Sequence, residues 1–368
     1  MDLDILRFFE LLRSGLWQNT ADIKLFGKDT DWQAIYTLSV QQSVAAVVFD
    51  GIQTLPSELH PPRMLFLKWC SFTAQIEQAN ERVNATLKEI TQCLQTHGIP
   101  HVLLKGQGLA SLYPHPLRRQ CGDIDLFLKN GDFQSSKTLF KTLNLPRLTC
   151  ETEKHTEYLW NNIILESHHT PHCFNYPPFN RYLKKIINQW YPNPGYYLIL
   201  EKNRICIPPP TFNAIYLPIH ILHHLLSEGV GLRQLCDWTI LLHQENKRID
   251  FHQLRKDISA FRFHRVMKAL GYIAVQYLGL SEEELPIPIT SKDKKQGEKI
   301  IQHILEGGNF GKYSEEKTSQ SENNFSARIR NYSRVCHHCY RYLRLTPEES
   351  LSYPFSKIGF FTVKLWRK

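Results

Sequence analysis

The stretch Asp123-Ile124-Asp125-Leu126-Phe127-Leu128 constrains this chain more than any other, because its two acids alternate with apolar residues. Successive side chains of a strand point to opposite faces. Asp123, Asp125 and Phe127 therefore share one face, and Ile124, Leu126 and Leu128 the other. The apolar face has to be packed on something, which calls for a sheet with a covering layer and leaves both acids pointing into a cleft. Acids at i and i+2 lie roughly 6 to 7 Å apart at the backbone, near enough for their carboxylates to converge on one or two divalent ions. Hard oxygen ligands of this kind select Mg2+ or Mn2+ over zinc.

The surroundings of that strand set its context. Residues 1 to about 94 predict helices, since apolar residues recur at three- and four-residue intervals in ILRFFELLRSGLW and in WQAIYTLSVQQSVAAVVFDGI. Pro56, Pro61 and Pro62 break the pattern, after which a long amphipathic helix is expected from about Arg63 to His97, ended by Gly98. IPHVLL reads as a short buried strand and GQGLASLY as the start of a helix, with YPHPLRRQCG as a loop before the acidic strand. Asp132 is expected to cap a following helix through about Leu143, and HTEYLWNNIILESHH reads as a strand pair or one long strand. A Pro-rich connector, IPPPTF, precedes a strongly helical stretch from about Asn213 to Leu280. The polar run 314–325 reads as a linker or loop. These elements predict an α+β chain, a small mixed-sheet core flanked by N-terminal helices and a C-terminal helical domain. The expected divisions are 1–94, 95–212, 213–313 and 314–368.

Apolar residues make up 42% of the 368 and charged residues 21%, which excludes a largely disordered chain. No window approaches the ~20 uninterrupted apolar residues of a membrane span. Nine cysteines are scattered without a repeating framework, so a reducing cytoplasm is expected, and the first residues lack a signal-peptide pattern. The formal charge of +9 favours an anionic partner. Much of it lies near the end, where FSKIGFFTVKLWRK mixes aromatic and basic residues, a composition suited either to an anionic inner membrane face or to packing on the helical domain. No base-reading motif accompanies it.

The glycine turn LLKGQG has the ingredients of a phosphate cradle, since Gly106 and Gly108 let backbone amides approach an anion and the next helix offers its N-terminus. An ordinary strand-to-helix turn is the alternative. Taken together, HVLLKGQGLASLYPHPLRRQCGDIDLFL resembles the signature of the uncharacterised nucleotidyltransferases of the DNA polymerase β-like superfamily, in which a Lys-Gly turn precedes an Arg-x-x-x-Asp-hydrophobic-Asp strand. Lys105 and Gly106 match the turn, and Arg119 matches the basic position ahead of Asp123. The helical lead-in, LESHH, and the H-x-x-H-H run followed by GLRQLCDW are also similar to that family. Gln107 stands where the superfamily usually places a small residue.

The resemblance implies transfer of a nucleoside monophosphate from an NTP, with ATP as the expected donor, to an acceptor hydroxyl with release of pyrophosphate. Asp123 and Asp125 are then the metal ligands. The superfamily uses a third acid on a neighbouring strand, and Glu166 in IILESHH is placed for it, as ligand or as base; His168 lies on its face. Lys105, Gly106, Gln107, Gly108 and Arg119 form the expected nucleotide-binding set, although Lys105 and Arg119 can alternatively pair with the acids. His220 and His224, one helical turn apart, with Arg233 and Asp237 on the next predicted helix, are expected to line the acceptor side. The competing reading is a catalytically inactive relative that keeps the fold to bind a nucleotide, protein or membrane partner. Cys336 and Cys339 in CHHC have the spacing of half a zinc site, but no second ligand pair follows, and an ordinary helix explains them better.

Overall fold

A computed structural model describes residues 2–309 and 324–365, with only the backbone described at 324–329, 331 and 357–365. In chain order its elements are α1 (Leu3–Trp17), α2 (Trp32–Gln41), α3 (Ala45–Ile52), α4 (Arg63–Thr96), β1 (Val102–Leu104), α5 (Gly106–Ala110), β2 (Asp123–Phe127) and α6 (Gly131–Thr142). There follow β3 (His155–Trp160), β4 (Ile163–His168), α7 (Pro177–Trp190), β5 (Tyr196–Leu200) and β6 (Asn203–Ile207). The remainder is helical: α8 (Pro210–Leu226), α9 (Leu232–Gln244), α10 (Phe251–Ala260), α11 (His264–Gln276), α12 (Lys294–Gly307), α13 (Asn324–Arg341) and α14 (Pro347–Leu365). The chain is thus α+β, as its patterning predicts. It forms two compact units, one of Met1–Tyr36, Val44–Cys173 and Lys185–Asn213, the other of Thr37–Ser43, Phe174–Lys184 and Ala214–Lys368.

The first unit holds every strand among the described residues. β1, β2, β4 and β3 form a four-stranded sheet in that order, and β5 pairs with β6 as a separate hairpin. Within the larger sheet only β2 and β4 run parallel. α4 runs unbroken for 34 residues because neither Pro nor Gly interrupts it after Pro62. Gly98, at φ +63°, then turns the chain into β1.

The apolar stripe Val83, Leu87, Ile90 and Leu94 of α4 packs with Ile124, Leu126 and Leu128 of the β2 strand and its exit, Leu165 of β4, and Phe133 and Phe140 of α6. Burying each such side chain contributes about 1.5 to 3 kcal/mol, enough to fix which face of β2 is covered. On the opposite face Phe127 sits edge-on to Trp190 and Tyr191 at the end of α7, with centroids 6.2 and 5.0 Å away. That end of the face is closed by aromatic packing, and the acids occupy the other end.

One cap differs from expectation. The helix after β2 opens at Gly131, with Asn130 in the cap position at φ 48°, so Asp132 lies inside the first turn. Its carboxylate accepts a hydrogen bond from the Tyr191 hydroxyl at 2.7 Å, a partner 59 residues away that local capping rules do not register.

In the second unit, α8 and α9 are tied by the Trp238 indole N–H, which donates to the Ala214 carbonyl at 3.0 Å. Glu349 of α14 accepts the backbone N–H groups of Asn175 and Tyr176 at 3.1 and 2.8 Å. The run 314–325 lies almost wholly outside the described residues, and so do the side chains of the C-terminal segment from 357 onward. Among the described residues, no helix is long and apolar enough to cross a membrane. No disulfide joins any of the nine cysteines among the described residues.

Candidate metal centre

The parallel register of β2 and β4 places Asp125 directly beside Glu166 and Asp123 beside Ile164. Neighbouring residues of paired strands project to the same side of the sheet. Asp123, Asp125 and Glu166 can therefore each offer one carboxylate oxygen, and these atoms all lie within 4.8 Å of one another. β4 is held in that register from its other edge by β3, through a two-residue turn at Asn161 and Asn162, whose φ angles are 48° and 61°. Asparagine tolerates this left-handed conformation, and two such residues in succession make the turn that suits the twist of a hairpin. The hairpin sets His155 opposite His168 and Glu157 opposite Glu166.

Asp125 is 3% exposed and carries two positive partners: Lys105 Nζ at 3.2 Å from Oδ1, and His168 Nε2 at 2.9 Å from the same oxygen. Burial by itself favours its neutral form, but the Lys105 charge and the His168 hydrogen bond outweigh burial and hold the carboxyl well below the usual range. His168 Nε2 also lies 2.9 Å from Glu166 Oε2. Burial opposes its charged form, yet hydrogen bonds to Asp125 and Glu166 raise its pKa above the ordinary imidazole value. Three carboxylates crowded within 4.8 Å would repel one another without cations among them, and Lys105 and His168 supply that charge. A cluster that needs cations and keeps Asp125 ionised has the donor chemistry of a Mg2+ or Mn2+ centre.

The turn after β1 delivers Lys105. Leu104 is the β1 partner of Asp125, and the next residue, Lys105, adopts φ 46° and ψ −136°, sparsely populated for a residue with a side chain. Gly106 follows at φ +46°, where glycine avoids the steric cost other residues meet. Gly108 is small for a different reason, since a Cβ there would come 3.2 Å from Ile207 Cγ2 on β6. The Gln107 side chain is buried and donates its amide to Asn84 Oδ1 at 2.6 Å, so it is turned toward α4. Arg119 is buried, and its carbonyl accepts from Asn80 Nδ2 at 3.0 Å. α5 has only five residues, too few to build the helix N-terminus that the turn was expected to present to phosphate. Of the two roles open to Lys105, ion pairing with an acid is the one this structure displays.

The remaining predicted residues belong to the second unit. His220 and His224 of α8 approach each other with Nε2 atoms 3.1 Å apart and their rings edge-to-face. Arg233 and Asp237 sit one turn apart on α9, Asp237 buried. Cys336 and Cys339 lie on α13, where burial pushes the Cys339 thiol up to about 12.

His155 was missed by the sequence reading. Its Nδ1 is 3.8 Å from Glu166 Oε2, and its ring centroid is 4.9 Å from that of His168. The signal was present in the Asn161-Asn162 pair: counting outward equally from a two-residue turn puts His155 opposite His168.

The sheet thus brings two acids of β2 and one of β4 together beside a Lys-Gly turn. Residues 28–279, more than half of the chain and including the six strands of the described residues, match the family of uncharacterised nucleotidyltransferases, and the chain belongs to that family. Comparison with curated proteins and with solved structures returned no match.

Proposed function

We propose that the protein transfers a nucleoside monophosphate from an NTP, ATP in the first instance, to an acceptor hydroxyl and releases pyrophosphate. The convergence of Asp123, Asp125 and Glu166 within 4.8 Å carries this reading, because in-line phosphoryl transfer needs oxygen ligands gathered at one point. A divalent ion held there would neutralise the triphosphate and acidify the acceptor hydroxyl. Asp125 is kept ionised by Lys105 and His168, so it offers its oxygen without first losing a proton. Asp123, at the start of β2, supplies the ligand nearest solvent, and Glu166 completes the set from β4.

Lys105 has a second task in this scheme. With Asp125 neutralised by a bound ion, the ammonium on its strained turn would be available to pair with a phosphate oxygen. The backbone of Gly106, Gln107 and Gly108 lines the approach, and Arg119 adds a further cation. The bond from the α-phosphorus to the acceptor oxygen forms as the bond to the bridging oxygen of the leaving pyrophosphate breaks. The acceptor's proton passes to a carboxylate of the set.

Isothermal titration of ATP in the presence of Mg2+, run on the parent and on the Asp123→Ala, Asp125→Ala double variant, tests the reading. Metal-dependent binding in the parent and its loss in the variant are expected. ATP binding that persists in the variant would remove the metal centre from the proposal, and absence of pyrophosphate release across a broad hydroxyl-acceptor screen would favour the binding-only relative.

A further inference from the structure

Glu166 belongs to a second group of possible ligands, and that group has a different chemistry. His155, Glu166 and His168 also place one ligand atom each within 4.8 Å of one another. Two of these three donors are imidazoles, which suit zinc, cobalt and nickel and have little use for Mg2+. Two imidazoles and one carboxylate, with a water as fourth ligand, make a familiar tetrahedral zinc set.

The state of the His155 ring points the same way. His155 Nδ1 is buried, has no hydrogen-bond partner among the described residues, and lies on the side of Glu166 Oε2. A buried polar atom left in that condition costs about 1 to 3 kcal/mol, which calls for an explanation. The opposite nitrogen of this ring is buttressed by a carboxylate, with His155 Nε2 3.3 Å from Glu157 Oε1. A metal-ligating histidine has this pattern, one nitrogen for the ion and the other orienting the ring through a carboxylate. His168 turns its Nε2 to the group, 2.9 Å from Glu166 Oε2, and would ligate through that nitrogen in its neutral form.

Distances separate a ligand set from a simple ion pair. His155 Nδ1 is 3.8 Å from Glu166 Oε2, too far for a hydrogen bond. Two ligand atoms at zinc bonding distance in a tetrahedron stand about 3.4 Å apart, which a small rotation of either side chain reaches. The His168 side chain is 6% exposed, while those of His155 and Glu166 are 18% and 21% exposed, so the group has a buried floor and an open side.

We propose that His155, Glu166 and His168 form a nitrogen-rich site for a transition-metal ion of the zinc type, adjoining the three-carboxylate group and sharing Glu166 with it. The site rests on the β3–β4 hairpin and holds whether or not the neighbouring carboxylates support nucleotidyl transfer. Because Glu166 is common to both, a transition ion here would change the affinity of the carboxylate group for Mg2+.

Titration of the chelator-treated full chain with Co2+ in excess Mg2+, followed by its visible ligand-field band, tests the assignment. A band that saturates at a single equivalent is expected, and zinc should abolish it. His155→Gln and His168→Gln should each weaken Co2+ binding by tenfold or more, and Glu157→Gln by about tenfold through loss of orientation. Asp123→Asn, which touches only the carboxylate group, and His224→Gln should leave the band in place. His155 is the more exposed of the two histidines, so its variant keeps the test meaningful if His168→Gln fails to fold. Displacement of Co2+ by Mg2+, a band unaffected by both hairpin histidine changes, or a band lost with Asp123→Asn would overturn the site. Failure of ATP binding with the band intact would count against the nucleotidyl-transfer reading alone.

Discussion

Two histidine groups in this protein are both desolvated and end with opposite charge preferences. His168 lies between Asp125 and Glu166, each 2.9 Å away, and its pKa is raised despite burial. His303 of α12 has its Nδ1 2.5 Å from the Tyr342 hydroxyl and its ring 4.9 Å from that of His338 of α13. Burial, followed by the Arg341 charge, pushes His303 down to about 3, and burial with the Arg334 charge pushes His338 down to about 4. Burial opposes the charged form in both groups, so the neighbours decide the sign. The first gathers charge, as a binding centre must, and the second excludes it, as packed structure does.

The largest test of that contrast is Asp125→Ala. It strips Lys105 and His168 of the anion that justifies their charge in a buried place, and breaking such a network costs about 3 to 5 kcal/mol. Urea unfolding of the metal-free protein should show that loss, and the His168 ring titration followed by NMR should move down. A stability change below about 1 kcal/mol, the range of an exposed pair, would mean that the network is solvated and the contrast false.

Acid should act on the second group. The folded values of His303 and His338 are depressed, so their contribution is fully present above the unfolded imidazole pKa of about 6.5 and is lost as pH falls from there toward about 4 for His338 and about 3 for His303. Each proton taken up on unfolding adds a slope of about 1.4 kcal/mol per pH unit. His303→Gln should flatten the stability profile between these limits by up to one such proton. His168 runs the other way: its raised value gives stability that is present below about 6.5 and is lost as pH rises through the folded pKa. An unchanged acid slope in His303→Gln would show that this imidazole is not held neutral.

The two groups also differ in how far the sequence announces them. Alternation of charge and apolar side chains over Asp123–Leu128 marked β2 and its acid face, and uninterrupted periodicity marked α4, because both signals are local. Glu166 could be assigned to a neighbouring strand, but its register beside Asp125 is a pairing across 41 positions that no local pattern encodes. The β5–β6 hairpin went unseen for a related reason. Its two turn residues are Glu201, at φ 53°, and Lys202, neither of them a Gly, Asn or Pro that would signal a reversal. His303 and His338 meet across 35 residues on separate helices, so nothing in CHHC predicts a histidine–tyrosine cluster there.

The smallest effect sought is at Gly106, and it bears on how the charged group is assembled. A Cβ at this position would meet only Cys121 Sγ at 3.7 Å and the Asp123 carbonyl at 3.9 Å, so space is available and the cost of Gly106→Ala is conformational. Placing a side chain at φ +46° costs about 1 to 2 kcal/mol, less if the turn relaxes. Relaxation would shift Lys105, whose own unusual conformation is the residue before, and withdraw its ammonium from Asp125. His168 would then hold Asp125 without competition from a second cation, and its ring titration should move further up. A stability loss with no movement of that titration would show that the turn keeps Lys105 in place at its own expense. Movement with little stability loss would show that the strain at Lys105 serves the placement of its charge, which Gly108, packed 3.2 Å from Ile207 if given a Cβ, does not share.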